Sequence, residues 1–412
     1  MTSGRDAIRR RATVLRRLWR VLPGVVAMAA LTACSGSEAP ADEPEVGAAA
    51  PGATASATPT PTPTPEPVTV TIVAAGDILP HAPVIANAAR SAEGSAAEFD
   101  FAPMLDEVSP FIEGADLGIC HLETPLSADN TNLTQPRTLV FNSPREVATG
   151  LSSAGFDGCD FASNHSWDRG LDGLAQTIDV LQEEGLAYAG PQADESRAGE
   201  PALYEIGDVT VAHLAYSYTM LNNWGPNTDV PPDAPWLSRA MWPVVEAQGI
   251  AADAQSARDA GADLVVLSMH WGEEYVATPT EDQRRLAREL LGAGDVDLIL
   301  GTHVHVIQPC ETINGRTVFY GLGNFLSNQS PDTTGGRLLP TTQEGMMARA
   351  TFTVDPDGDV TSEVDYQPTR VDLDGHVVEL ATPQTHPTTY ARTVETLASL
   401  QDGSCEAVPV TG

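Results

Sequence analysis

The sequence contains no lysine, and all 22 of its basic residues are arginines. It has 56 aspartates and glutamates, which give a formal net charge of −34. A surface of this charge repels nucleic acids and anionic lipids, which excludes a general nucleic-acid-binding function. An anionic substrate would have to be attracted by a local positive charge, and a bound metal ion is the obvious source.

No apolar run near the N-terminus is long enough to cross a bilayer, since residues 21–30 span too few positions. An arginine-rich segment precedes this run, and Leu31-Thr32-Ala33-Cys34 follows it. That order is typical of a secretory signal peptide ending in a bacterial lipobox. We therefore predict a lipoprotein signal peptide over residues 1–33 and a lipid at Cys34 that anchors the chain at the extracytoplasmic face of the cell membrane. The alternative is an ordinary signal peptide with an incidental cysteine.

Residues 34–67 begin at Cys34 and contain few apolar side chains that could form a core. A segment of this composition is expected to stay disordered. Its Thr-Pro repeat favours an extended, semi-rigid spacer. We expect a tether that holds a folded domain, residues 68–385, away from a membrane surface, with a C-terminal tail over residues 386–412.

Cysteine is scarce, and four cysteines follow Cys34. An exported chain can keep disulfides, and four cysteines allow three pairings. Cys120 and Cys159 lie in strand-like runs ahead of candidate site residues, so they could pair across neighbouring strands. Cys310 and Cys405 would then attach the C-terminal tail. Four free, buried thiols are the alternative.

Strand-like runs alternate with helical patterns through the middle of the chain and pair locally near its end, where residues 349–354 and 360–366 predict a hairpin. This order predicts an α/β domain with layered mixed sheets. Ser143 is predicted to cap a helix that has Pro144 at its first position. Thr278 and Glu281 are predicted to form a capping box for a second helix.

The candidate site residues follow the predicted strands. The run Val296 to Gly301 is followed by His303 and His305, and polar sites gather beyond the carboxyl ends of strands in open α/β sheets. Four other strand-like runs end in Asp77, in Glu123, in Asn164 with His165, and in His270. Mixed carboxylate, amide and imidazole ligation suits divalent ions such as Mn, Fe, Zn or Mg.

Six motifs carry a resemblance to a known family. In chain order they are AAGDILPH, CHLETPL, ASNHSWDRG, LSMHWGEEY, GTHVHVIQP and YGLGNFL, within residues 70–330. The set resembles the calcineurin-like metallophosphoesterase superfamily and, within it, the CapA/PgsA family of poly-γ-glutamate capsule biosynthesis proteins. The resemblance implies a calcineurin-like metallophosphatase fold, in which layered mixed β-sheets form a β-sandwich core flanked by helices.

The resemblance also implies a site with two divalent metal ions and a role for each residue. Asp77 and His305 would bind the first ion, and Asn164, His270 and His303 would bind the second, with Glu123 as the bridging carboxylate. His165 would face the substrate as a general acid or a positive contact to a phosphoryl oxygen, and Asp168 would orient it. Asn324 would line the site and contact the substrate.

Two positions depart from the pattern of this superfamily. Its phosphoesterases usually begin with Asp-x-His, whereas Asp77 is followed by Ile78 and Leu79. One ligand of the first metal ion is therefore missing, unless His81 or His121 supplies it. His121 also stands where the capsule family typically has asparagine.

Three functions agree with these features. The first is a membrane-anchored hydrolase that uses a metal-activated hydroxide to attack a phosphoester during synthesis of capsule, poly-γ-glutamate or another cell-surface polymer. The second is a non-catalytic accessory or anchoring protein for polymer export, working in a polymer-synthase complex. The third is a structural lipoprotein with a degenerate metal site. The long loop near Trp224, Trp236 and Trp242 is expected to pack on the core, with a lid as the alternative.

Overall fold

The computed structural model describes residues 66–400 and 404–410. The predicted signal peptide, the lipid attachment site at Cys34 and all but the last two residues of the predicted tether lie outside this part. Within the described residues, no helix combines the length and the apolar character needed to span a membrane.

Strands and helices alternate in the first two thirds of the described chain. The strands are β1 (Val68–Leu79), β2 (Leu117–Leu122), β3 (Leu126–Ser127), β4 (Ser143–Pro144), β5 (Gly158–Asp160), β6 (Ala187–Ala189), β7 (Ala202–Ile206), β8 (Val209–Ser217), β9 (Leu264–His270), β10 (Leu298–Thr302), β11 (Cys310–Ile313), β12 (Arg316–Phe319), β13 (Asn324–Ser327), β14 (Glu344–Val354), β15 (Val360–Asp372), β16 (Val377–Leu380) and β17 (Val408–Pro409). The α-helices are α1 (Ala82–Ser91), α2 (Ala102–Leu105), α3 (Ser109–Ile112), α4 (Glu146–Ser153), α5 (Gly170–Glu183), α6 (Trp242–Asp259), α7 (Glu281–Ala293), α8 (Pro331–Thr334) and α9 (Pro387–Leu397).

Two large mixed sheets organise these elements. In the first sheet the order is β16-β15-β14-β1-β2-β5-β6, with β13 pairing to β1 and β17 to β15. In the second sheet the order is β11-β12-β10-β9-β8-β7. The central strands β1, β2, β5 and β6 run parallel, as do β8, β9, β10 and β12. Parallel neighbours place their carboxyl ends on one edge of each sheet, which brings loops distant in sequence together.

Three apolar clusters show how the layers pack. One cluster joins the inner faces of the two sheets, as Ile72 and Ile119 of the first sheet pack with Leu264 of the second. A second cluster lies between the first sheet and its helices, and a third lies between the second sheet and helices α6 and α7. The predicted α/β fold of layered mixed sheets, with a sandwich core flanked by helices, is therefore confirmed.

Two predicted helix starts need correction. Ser143 does not cap a helix, because Ser143 and Pro144 form β4 beside β3 and the Ser143 hydroxyl lies 2.8 Å from that of Thr124. Helix α4 begins at Glu146 without a side-chain cap. The capping box of α7 is made by Thr280 and Gln283, two positions later than predicted. Both predictions used only the local spacing of polar residues and did not include the tertiary partners of the side chains.

Both predicted disulfides are present. Cys120 and Cys159 stand opposite each other on β2 and β5, with 4.4 Å between their Cα atoms. Cys310 at the start of β11 is bonded to Cys405, with a Cα–Cα distance of 5.4 Å. The predicted hairpin is confirmed as β14 and β15, which pair antiparallel over their whole facing length. The segment after residue 386 forms α9 and β17, and β17 pairs with β15.

The Cys310–Cys405 crosslink gives a prediction about stability. The double variant Cys310→Ala/Cys405→Ala should lower the free energy of unfolding by about 2–4 kcal/mol, because a crosslink across a long loop restricts the unfolded chain. Urea denaturation followed by circular dichroism measures this. A reductant should destabilise the wild type more than the variant, and a variant as stable as the oxidised wild type would contradict the prediction.

Candidate metal centre

The site lies where the carboxyl ends of strands from both sheets meet. On the first sheet, Asp77 of β1 stands beside Asn324 of β13 on one side and His121 of β2 on the other. On the second sheet, His270 at the end of β9 pairs with Thr302 at the end of β10. The main chain connects the two edges, because the His303 amide donates to Asp77 Oδ1 at 3.2 Å.

Asp77, Glu123 and His305 form the first group of potential ligands. One ligand atom from each residue lies within 4.8 Å of the others. His305 Nδ1 is 3.0 Å from Asp77 Oδ2, and His305 Nε2 is 3.7 Å from Glu123 Oε1. The structure therefore brings together the three residues that the sequence assigns to the first metal ion.

Glu123, His270 and His303 form the second group, which also meets within 4.8 Å. Asn164 joins it, because its Oδ1 lies 2.9 Å from His270 Nε2. His270 Nδ1 is 3.1 Å from the Thr302 hydroxyl, a contact that fixes the orientation of the ring. Glu123 belongs to both groups, which is the position that a bridging carboxylate requires.

Glu123 is a fully buried carboxylate without hydrogen-bond partners at either oxygen among the described residues. Burial raises the pKa of Glu123 to about 7; the nearby Asp77 carboxylate adds to the rise, and His305 opposes it. An unpartnered buried carboxylate is costly, and a cation bound at its oxygens would offset that cost.

The protonation states and contacts of the imidazoles also bear on cation binding. Burial and neighbouring histidines hold the pKa values of His270 and His303 well below the usual range, so both rings are neutral. His303 Nδ1 is buried and unpartnered within the described structure. Burial lowers the pKa of His305, but the Glu123 and Asp77 carboxylates raise it to about 10 in the metal-free chain. Orphaned oxygen and nitrogen atoms of this kind fit two divalent ions.

The turn that carries His303 and His305 has an unusual backbone. Their φ values are 87° and 57°, in the left-handed region that non-glycine residues rarely adopt. Strained backbone of this kind persists where the surrounding structure imposes it, often at functional sites. The Tyr218 ring packs against His303 with 4.4 Å between centroids and supports this turn.

His165 lies beside the ligand groups and carries its own carboxylate partner. Its Nδ1 is 2.9 Å from Asp168 Oδ2, and that oxygen also accepts a hydrogen bond from the Phe141 amide at 2.6 Å. The Phe141 ring stands edge-on to the imidazole at 4.6 Å. Asp168 holds Nδ1 of His165, so Nε2 is the ring nitrogen left for another contact; the contact of His165 with a substrate stays a prediction.

Asn324 has a positioning contact within the site. Its side chain is fully buried, with Oδ1 3.1 Å from His305 Nδ1. Its amide nitrogen donates to the Thr342 carbonyl at 2.8 Å and to Gln329 Oε1 at 3.1 Å. These contacts orient His305, and the contact of Asn324 with a substrate stays a prediction.

His81 and His121, the two candidates for an additional ligand, differ in their contacts. His81 Nδ1 is 2.9 Å from the Leu79 carbonyl, and burial, with the positive charge of His305 nearby, lowers its pKa to about 3. His121 Nδ1 is 2.7 Å from Asp160 Oδ1, and its ring stacks on that of His270 at 4.9 Å. Neither belongs to the two ligand groups.

Several residues of the site were not found from the sequence. Asn222, in the long loop after β8, accepts a hydrogen bond from Asn164 Nδ2 at 3.0 Å. The Tyr275 ring lies 5.7 Å from that of His305. Tyr275 falls inside a quoted motif, whereas Asn222 has no local signal. In the same loop region Trp242 is buried as predicted, but Trp224 is 99% exposed.

A comparison with protein families identifies the family to which the chain belongs. Residues 71–329 match the family described as "Bacterial capsule synthesis protein PGA_cap". The match covers more than half of the chain and includes each ligand of the two groups. The protein belongs to this bacterial capsule synthesis family.

Curated relatives agree with that assignment. The chain is 28% identical over 223 residues to the PGA biosynthesis protein CapA of Bacillus subtilis, covering 54% of this chain and 56% of the relative. It is 30% identical over 224 residues to the capsule biosynthesis protein CapA of Bacillus anthracis, covering 54% and 53%. A probable polyglutamine synthesis accessory protein of Mycobacterium tuberculosis is 26% identical over 217 residues, covering 52% and 56%. The chain thus spans about half the length of the curated relatives it matches.

A solved structure similar to this chain is the calcineurin-like phosphoesterase YfkN from Bacillus subtilis. The superposition covers 80% of this chain and 98% of that one, with a TM-score of 0.37 and 14% sequence identity.

Glu123 gives a prediction about metal content. Removing a residue that hydrogen-bonds a metal ligand typically lowers metal affinity by roughly 10–100-fold. Glu123→Gln should lower the affinity for divalent ions by more than this, because both ligand groups share the Glu123 carboxylate. Metal analysis after gel filtration in Mn²⁺ measures the effect. Glu311→Gln is the control, since this buried glutamate bonds the Tyr320 hydroxyl instead. Wild-type metal content in Glu123→Gln would contradict the prediction.

Proposed function

We propose that this protein is a metal-dependent phosphoester hydrolase that acts in the synthesis of a capsule or another cell-surface polymer such as poly-γ-glutamate. The observation that carries the proposal is the buried Glu123 carboxylate, shared by two groups of ligands that converge from both sheets. Membership of the capsule synthesis family supports the biological setting.

Six side chains would bind the metal ions in this proposal. Asp77 and His305 would hold one divalent ion and Asn164, His270 and His303 the other, with Glu123 between them. Two ions at such a site supply Lewis acidity and an activated water. Thr302 and Asn324 keep the His270 and His305 rings in place through the hydrogen bonds described above.

His165 would act on the substrate. Asp168 accepts from Nδ1 and so fixes the ring and its tautomer, while Nε2 can give a proton to the leaving oxygen. The pair is nearly buried, and its Phe141 neighbour limits access of water to the ring. His165 would therefore protonate the leaving group without contributing to metal binding.

Charge restricts the substrate class. The chain is strongly acidic, so a phosphoester would be repelled except where bound cations and histidines concentrate positive charge. The neutral His270 and His303 contribute ligand atoms but no charge. An anionic substrate would bind only after the metal ions, and nucleic acid is not expected as a partner.

The proposal includes a location. A lipid on Cys34 and the Thr/Pro-rich segment would hold the domain at the extracytoplasmic face of the cell membrane, close to a polymer-synthase complex. The arginine-rich N-terminus and the Leu-Thr-Ala-Cys sequence support this part. Mass spectrometry of Cys34 peptides from membrane fractions tests it.

The role of His165 gives a direct test. His165→Gln should lower kcat for a generic phosphodiester by roughly 10²–10⁴-fold in the presence of Mn²⁺, because the general acid is lost. Its metal content should equal that of the wild type, since His165 belongs to neither ligand group. Asp168→Asn should show a smaller loss with an altered pH profile.

The matched control is His386→Gln, because His386 pairs with Glu379 on β16 and contacts no site residue. Its turnover should equal that of the wild type. A metal-loaded wild type without metal-dependent turnover, or a fully active His165→Gln variant, would contradict the proposed hydrolase.

A second candidate function is a non-catalytic accessory role in polymer export. Similarity to the probable polyglutamine synthesis accessory protein of Mycobacterium tuberculosis favours it. A degenerate site in a structural lipoprotein is the simplest form of this function. Complementing a deletion strain with His165→Gln separates the two, because the accessory role predicts that surface polymer returns and the hydrolase predicts that it does not.

A further inference from the structure

His121 is a buried histidine next to the metal centre that neither ligand group uses. It lies on β2, directly between Asp77 of β1 and Asp160 of β5 in the register of the first sheet. Only 2% of His121 and 1% of Asp160 is exposed. The three side chains therefore occupy one row across three parallel strands, at the edge where the ligands converge.

The two ring nitrogens of His121 differ in their contacts. Its Nδ1 lies 2.7 Å from Asp160 Oδ1, while its Nε2 is buried and has no hydrogen-bond partner among the described residues. When a carboxylate accepts from Nδ1–H, the lone pair of a neutral imidazole is on Nε2. A carboxylate behind one nitrogen and an unpartnered second nitrogen, which can bind a metal once it has lost its proton, is the usual arrangement of a metal-ligating histidine.

Each ligand group has an asparagine oxygen beside one of its imidazoles. Asn164 Oδ1 lies 2.9 Å from His270 Nε2, and Asn324 Oδ1 lies 3.1 Å from His305 Nδ1. His121 is the register neighbour of Asp77 in the first group, and its ring stacks on that of His270 in the second group at 4.9 Å. Its unpartnered Nε2 therefore lies next to the metal centre, on the strand beside Asp77.

We propose that His121, oriented by Asp160, is a further ligand of the ion held by Asp77, Glu123 and His305. The inference rests on the proposed two-ion centre. His121 lies outside the 4.8 Å group, so the proposal requires its ring to approach the ion while Asp160 keeps its contact with Nδ1. His81 differs from His121 because a main-chain carbonyl, that of Leu79, and not a carboxylate lies behind its Nδ1.

Metal titrations of variants test the proposal on the full chain. His121→Asn removes the imidazole but keeps a side chain that can donate to Asp160, and it should weaken the binding of one of two Mn²⁺ ions by about 10–100-fold. Asp160→Asn should weaken the same ion and leave the other unchanged. The control is His376→Asn, because His376 is a buried histidine whose ring nitrogens contact the side chains of Asn87 and Asn328.

A measurement on the wild type keeps the test valid if a variant fails to fold. In chains labelled with ¹⁵N-histidine and loaded with ¹¹³Cd²⁺, metal–nitrogen couplings count the ligating imidazoles among the nine histidines. Four coupled rings, unchanged in His81→Gln, are expected; three would overturn the proposal. A wild type that binds two ions through three imidazoles removes only this inference, whereas a wild type that binds none removes the proposed hydrolase as well.

Discussion

The burial of the Glu123 carboxylate is the constraint on which the rest of the site depends. A charged oxygen pair without hydrogen-bond donors destabilises a fold unless positive charge compensates it. His305 lies 3.7 Å from this carboxylate, and bound cations, with His305 as a neutral ligand, would compensate its charge. Each neighbouring side chain is held by a further contact: His270 by Thr302, His305 by Asn324, and His165 by Asp168.

The two-sheet architecture explains why ligands so distant in sequence converge. Asp77 lies in β1 and Glu123 just after β2 of the first sheet, whereas His270 ends β9 and His303 follows β10 of the second. The apolar layer between the sheets fixes their separation, and the hydrogen bond from His303 to Asp77 joins the two edges. The region that matches the family, residues 71–329, contains all of these ligand residues.

The sequence predicts the layered fold and the ligand residues because each ligand follows an apolar strand within a recognisable motif. It predicts less where a role depends on a distant partner. Asp160 lies inside a strand-like run and has no motif of its own. Its role follows only from its contact with His121, 39 residues away in the sequence. Asn222 lies in a long loop without a motif, and Ser143 had a plausible local role that its contact with Thr124 replaced.

The division of the ligands between two sheets has a consequence for how the protein acquires its ions. A preformed site does not exist in the unfolded chain, so the cations can bind only once the sheets have packed. Intrinsic affinities favour copper and zinc over manganese at almost any site with nitrogen and oxygen ligands. The compartment in which the polypeptide completes its folding would therefore determine, through the ions available there, which metal this protein carries.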